Sequence, residues 1–329
     1  GSDFLNGRIL INLDSEDEGV FTIGCAGGRD TILTFDIHRE TINPEMKGVE
    51  IRIGGLSGGH SGVDIGKHRA NANKLLTRVL LSMCDKTDCR LVSFTGGSAR
   101  NAIPRDSRAV VSLSADQVKN AQTIAGLNLE VFRKEYAAAE KDLSVSVEPI
   151  SLTGMEAFSP VFCRNFLDLL NALPNGVRGY SADIHGLVET SCNLAYIEEE
   201  GGKLKIHTSQ RSSVMSRLDE IAEVITSAGR LAEAEKQSEN SYPAWTPDTG
   251  SRLLEKAKKI YKQVFSEEAK VEAIHAGLEC GVIGSKYEGM DMISLGPTIK
   301  HPHSPDEKVN IPSVGRTWGF LKALLADFN

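Results

Sequence analysis

Residues 8–13, Arg-Ile-Leu-Ile-Asn-Leu, are a short and nearly continuous apolar run. Such a run predicts a strand buried on both faces, as in a parallel sheet. An acidic turn over 15–19 leads to a second strand over 20–23. From about Asp30 the pattern changes. Strands over 31–37 and 48–53 alternate, so one face meets water. A helix over 67–83 places Leu76, Val79, Leu80 and Met83 at helical spacing. Strands over 90–94 and 107–113, a polar helix over 114–140 and a strand over 143–148 follow. A second set comes next: a helix over 160–173, strands over 178–184, 188–198 and 203–210, and a helix over 213–232.

Both sets have strand–helix–strand–strand character, which predicts a duplicated α+β unit. The polar stretch 234–248, with Pro243 and Pro247, predicts a linker or a return between domains. An amphipathic helix over 249–265, strands over 269–274 and 290–295, and a closing helix over 313–328 complete the chain. That last helix carries Val314, Trp318, Leu321 and Leu325 on one face. The predicted organisation is an α/β domain in two pieces, residues 1–29 and 229–329, around an inserted α+β domain, residues 30–228.

Length changes this picture little: 329 residues fit about two domains. With 40% apolar and 25% charged residues, the chain is neither disordered nor collagenous. It has no apolar run long enough for a spanning helix and opens with Gly-Ser rather than a charged and apolar leader. That opening predicts an expression remnant or a cut upstream. A net charge of −7 without a Lys/Arg-dense stretch argues against nucleic-acid partners. The six cysteines form no C-x-x-C pair, which excludes a zinc finger and points to a reducing cytoplasm.

Candidate chemistry gathers at strand ends and glycine-rich turns. Asp14 follows the first strand, where open α/β sheets bind ligands; it fits a carboxylate metal ligand or a turn-initiating Asp. His303 stands between Pro302 and Pro305, a stiff backbone suited to a metal ligand or to a surface turn, with His301 as its rival. His60 lies in Gly-Gly-Leu-Ser-Gly-Gly-His-Ser-Gly, where it can donate to a developing oxyanion or be incidental to a flexible loop. Asn101, at a second glycine-rich strand exit, offers an amide donor or serves as a turn Asn. Arg211 closes a strand and can clamp a carboxylate or serve as a surface Arg. His275 and Glu279 stand four apart, but Gly277 favours a turn between them.

Taken together, 13–19, 24–28, 57–65, 101–105, 275–281 and 303–307 resemble the aminoacyl-histidine dipeptidases. These are a branch of the co-catalytic zinc peptidases that also include aminoacylases, carnosinases and tripeptidase T. The resemblance implies a cytoplasmic metal-dependent dipeptidase acting on Xaa-His and other dipeptides through a water activated by two zinc ions. Cobalt and manganese are compatible with the same ligand types. It implies Asp14 and His303 as metal ligands and His60 as the oxyanion donor of the lid domain. It implies Asn101 and Arg211 as substrate-binding groups and Glu279 near the substrate amino group. A homodimer is a further implication; a membrane partner is not.

The family also uses an upstream His-x-Asp, a bridging Asp and a Glu-Glu pair. No His-x-Asp occurs in this chain, and residues 1–13 hold one acid, Asp3. The expectation is a chain lacking roughly the first half of its catalytic domain, without a general base and inactive by itself. Two other readings stand beside it. One is a peptide-binding or dimerising module without catalysis. The other is an amidotransferase using Cys25 or Cys280 as nucleophile.

Overall fold

The structure, a computed structural model, describes residues 4–301 and 306–328. In chain order the elements are β1 (Ile9–Asn12), β2 (Val20–Cys25), β3 (Gly27–Asp36), β4 (Arg39–Thr41), β5 (Lys47–Gly54), β6 (Gly59–His60) and α1 (Ala72–Cys84). Next come β7 (Arg90–Gly96), β8 (Ala102–Ile103), β9 (Ser107–Leu113), α2 (Val118–Glu135), β10 (Ser144–Ile150), β11 (Glu156–Phe158) and α3 (Pro160–Ala172). Then follow β12 (Gly176–Tyr180), β13 (Val188–Glu200), β14 (Lys203–Ser212), α4 (Met215–Leu231), β15 (Glu235–Tyr242) and α5 (Arg252–Phe265). The last are β16 (Lys270–Ile274), α6 (Glu279–Gly284), β17 (Asp291–Ser294), β18 (Ile299–Lys300), β19 (Lys308–Val309) and α7 (Ile311–Ala326).

The two ends of the chain build a four-stranded sheet in the order β1-β17-β2-β16. β1 runs parallel to β17 and β16 parallel to β2. Phe21, Ile23 and Ile293 pack there against Leu254 and Tyr261 of α5 and Phe320 of α7. β1 lies at the edge of the sheet rather than buried on both faces, and Ile9 and Leu13 are about half exposed. α7 buries Phe320, Leu321 and Leu324, while Val314, Trp318 and Leu325 of the predicted apolar face point outward.

The inserted domain is one continuous sheet of nine strands. Its path is β10-β5-β9-β7-β13-β14-β3-β15, with β12 paired to β13, and every pairing is antiparallel. All four long helices α1–α4 pack on it through one apolar core that includes Leu76, Phe94, Phe132, Phe166, Leu194 and Ile221. In one half the chain runs β5, α1, β7, β9, α2, β10, and the sheet order is fourth-first-third-second strand. In the other it runs β3, α3, β13, β14, α4, β15, with the same sheet order. β7 and β13 join the halves through the Gly96–Ile197 pair.

β15 was expected as a linker. It is instead the edge strand on β3, so the inserted sheet reaches from Gly27 to Tyr242, somewhat beyond the predicted 30–228. The outbound and returning chains cross between the domains side by side. Cys25 and Trp245 exchange two backbone hydrogen bonds of 2.8 and 3.0 Å. A Cβ on Gly27 would stand 2.6 Å from the Ala244 nitrogen, so the crossing requires glycine.

Candidate active site

His60 sits on a two-stranded arm in which β6 pairs with β8 and His60 faces Ala102. The Ser61 N–H donates to the Asn101 carbonyl at 2.8 Å, and the His60 N–H to Asp64 Oδ2 at 2.9 Å. The Gly62 and Val63 N–H groups both reach His60 Nδ1 at 3.2 Å. With Nδ1 accepting, the ring proton is assigned to Nε2, which is left as a donor. Burial, and next the Arg211 charge, pull the His60 pKa below its usual value, against a smaller opposing pull from Asp64. The ring is therefore neutral near pH 7.

Arg211 comes from the far end of the inserted sheet. The register sets Arg211 of β14 beside Gly28 of β3, and Gly28 beside Tyr242 of β15. Arg211 Nη1 donates to the Tyr242 hydroxyl at 2.8 Å. A Cβ on Gly28 would meet the Tyr242 ring at 2.4 Å, so a side chain there would expel the ring. Arg211 Nε is buried and has no partner. That edge of the guanidinium is available to a carboxylate.

His275, just past β16, closes the group from the other domain. It is 8% exposed, and its Nε2 lies 2.7 Å from Ser191 Oγ on β13. Its Nδ1 is buried without a partner, as is Ser61 Oγ. Burial, and next the Arg211 charge, push its pKa down to about 3, against a smaller opposing pull from the Val188 backbone. A Cβ on Gly62 would stand 2.5 Å from the His275 carbonyl, which shows how closely the His60 arm meets this turn. Three of the group's polar atoms, Arg211 Nε, His275 Nδ1 and Ser61 Oγ, are thus buried and unsatisfied. Buried polar atoms are rarely left so unless a ligand or water completes them.

The remaining predicted residues are less enclosed. Asn101 is exposed beside the His60 arm, and its carbonyl rather than its amide makes the contact. Glu279 is exposed at the start of α6, past a turn as expected. Asp14 is exposed beyond the carboxyl end of β1. His303 lies outside the described residues. Among the described residues no three His, Cys, Asp or Glu side chains converge to hold a metal ion. Those residues alone do not fit a complete metal centre. Cys25 is fully buried and burial raises its thiol, while the Cys280 thiol is pushed up to about 12 by burial and Glu279. Thiols so strongly protonated do not suit the amidotransferase reading.

Sequence reasoning named His275 without giving it a role and missed Tyr242 as a member of this group. The signal for His275 was its glycine-flanked turn after a strand. For Tyr242 it was an aromatic residue preceding Pro243, opposite the Gly27-Gly28 pair.

Residues 51–140, most of the first half of the inserted domain, match the family model described as a peptidase dimerisation domain. The chain is 38% identical over 325 residues to the cytosol non-specific dipeptidase of Escherichia coli strain K12. That alignment covers 99% of this chain and 67% of the relative. It superposes on the crystal structure of aminoacylhistidine dipeptidase from Vibrio alginolyticus with a TM-score of 0.94 and 39% identity, covering 99% of this chain and 66% of that one. The chain thus spans about two thirds of the length of these relatives. Sequence and fold agree over essentially all of it, and the chain belongs to the aminoacyl-histidine dipeptidase family.

Proposed function

We propose that this chain carries the substrate-holding part of a cytosolic, metal-dependent dipeptidase that acts on Xaa-His and other dipeptides. The observation that carries the reading is the junction of His60, Arg211 and His275, with its buried unsatisfied polar atoms. Arg211 takes the dipeptide's terminal carboxylate on its Nε edge, while Tyr242 holds the opposite nitrogen. His60 donates from Nε2 to the carbonyl oxygen as it gains charge; a neutral donor fixed by two backbone N–H groups needs no reorganisation during reaction. Asn101 steadies the peptide beside that arm, and Glu279 faces the free amino group. A divalent cation, zinc with cobalt or manganese as alternatives, would draw on Asp14 and His303 from this chain and would supply an activated water.

The two halves of the inserted sheet share one strand order, and the dimerisation model matches only the first. The shared strand order supports a duplicated lid, set between catalytic pieces that end before Gly27 and resume after Tyr242. The dimerisation match also supports a homodimer.

Calorimetric binding of a dipeptide and of its C-terminal amide tests the clamp. Arg211→Ala is expected to weaken the acid at least tenfold and the amide far less, as expected for a charge pair that has lost one partner. Equal losses would overturn the clamp. Hydrolysis with and without zinc then tests the expectation, drawn from the ligand count, that this chain is inactive by itself. Zinc-dependent turnover near the enzymatic median of about 10 per second would overturn that expectation.

A further inference from the structure

We propose that Cys84 and Cys89 form a modification site, a dithiol that a hydroperoxide oxidises to a disulfide. Cys84 is the last residue of α1, and Cys89 stands just before β7. Their Sγ atoms lie 3.4 Å apart, in contact. The turn between them is tightly held. The Lys86 and Thr87 N–H groups donate to the Met83 carbonyl at 3.0 and 2.8 Å, and the Cys89 N–H to Thr87 Oγ1 at 3.2 Å. A disulfide needs an S–S distance of about 2.05 Å, so the two sulfurs, already in contact, must still draw closer to bond.

Access separates this pair from the other cysteines. Both are half-buried, whereas Cys25, Cys192 and Cys280 are fully buried and Cys163 nearly so. A hydrogen bond with Cys163 lowers the Cys84 pKa, but the contact with Cys89 and burial outweigh it and push the thiol up to about 12. Cys84, so held protonated, is assigned the second step and Cys89 the first. Cys89 gives up its proton, and its sulfur attacks one peroxide oxygen. An S–O bond forms, the O–O bond breaks, and one water leaves, giving a sulfenic acid at Cys89. Cys84 sulfur then attacks the Cys89 sulfur. The S–S bond forms, the S–O bond breaks, and the hydroxide leaves with the Cys84 proton as a second water. Two thiols lose two electrons, and one hydrogen peroxide is reduced to two waters; an organic hydroperoxide would give one alcohol and one water. The product staples the end of α1 to the start of β7 in the first half of the inserted sheet.

The test treats the folded chain with a small excess of hydrogen peroxide, quenches it, denatures it and alkylates it with iodoacetamide. The expected result is a mass lower by two hydrogens before alkylation, two of the six thiols blocked, and a dithiothreitol-reversible link between residues 84 and 89 on peptide mapping. Cys163→Ser is expected to leave the reaction unchanged, and Cys89→Ser to abolish the link. A link from Cys84 to Cys163, a sulfinic acid on one sulfur, or six thiols still open to alkylation would each overturn the assignment.

Discussion

His275 carries a charge-state consequence that is independent of catalysis. Its pKa falls from 6.5 to about 3 on burial against Arg211 and His60, so the folded chain releases a proton that the unfolded chain keeps at acid pH. The contribution to stability is complete above the unfolded value and is lost as pH falls from about 6.5 toward 3. Linkage sets the slope at about 1.4 kcal/mol per pH unit for one group. His275→Asn, which does not titrate, is expected to remove about 2 kcal/mol of the stability lost between pH 7 and 5. Urea midpoints at the two pH values measure it; parallel pH profiles for the two proteins would rule it out. Gly28 makes the neighbouring argument by shape. Its missing Cβ leaves room for the Tyr242 ring, so Gly28→Ala is expected to cost about 1–3 kcal/mol, the range of core overpacking. In a Tyr242→Ala background the same change should cost much less. A double-mutant cycle checks this, and additive losses would count against it.

The arm that carries His60 is held by Asn193, from the opposite half of the sheet. Asn193 is buried in β13, and its Nδ2 donates to the Ala102 carbonyl at 2.8 Å and toward the Arg100 carbonyl at 3.4 Å. Asn193→Ala is expected to cost about 1 kcal/mol, the worth of the hydrogen bond it removes from the half-buried Ala102 carbonyl. Hydrogen exchange at the Ser61 amide should speed up while amides in β9 stay protected; unchanged Ser61 protection would argue against this role. Elements like α1, α3 and β9 were legible in the sequence to within a few residues because their apolar spacing is set by one helix or strand face. β15 was not, because nearly every residue in it is exposed and no alternation marks it; its identity as a strand comes from the free edge of β3. β1 and α7 were legible as elements but not in their surroundings, since an apolar run says nothing of how many neighbours will cover it. The same limit applies to the site. His60 and Arg211 stand out locally, at a glycine-rich turn and a strand end. Their meeting with Tyr242 and His275 depends on sheet register and on the domain crossing, which no local pattern encodes.

The two halves of the inserted sheet bear on which chain the proposed His60 donor would serve. A lid made of one such unit could gain a second unit by pairing with another copy, and association would then cost translational and rotational freedom. Here the second unit is covalently joined, and the sheet runs from one half to the other without a break. His60 belongs to the first half and Arg211 to the second, yet the Arg211 charge acts on the His60 ring within a single chain. Gly62 meets the His275 carbonyl in that same chain. The site is therefore expected to form in cis, whether or not the protein dimerises. Two variants, His60→Ala and Arg211→Ala, are each expected to lose function in a form of the enzyme shown to hydrolyse dipeptides. Once mixed and allowed to exchange subunits, they separate the alternatives. If His60 served a partner's site, the mixed dimer would contain one site with an intact His60 and an intact Arg211, and activity would return. With both groups drawn from one chain, every site in the mixture lacks one of them and activity stays lost. Recovery on mixing would show that the lid reaches across a dimer after all.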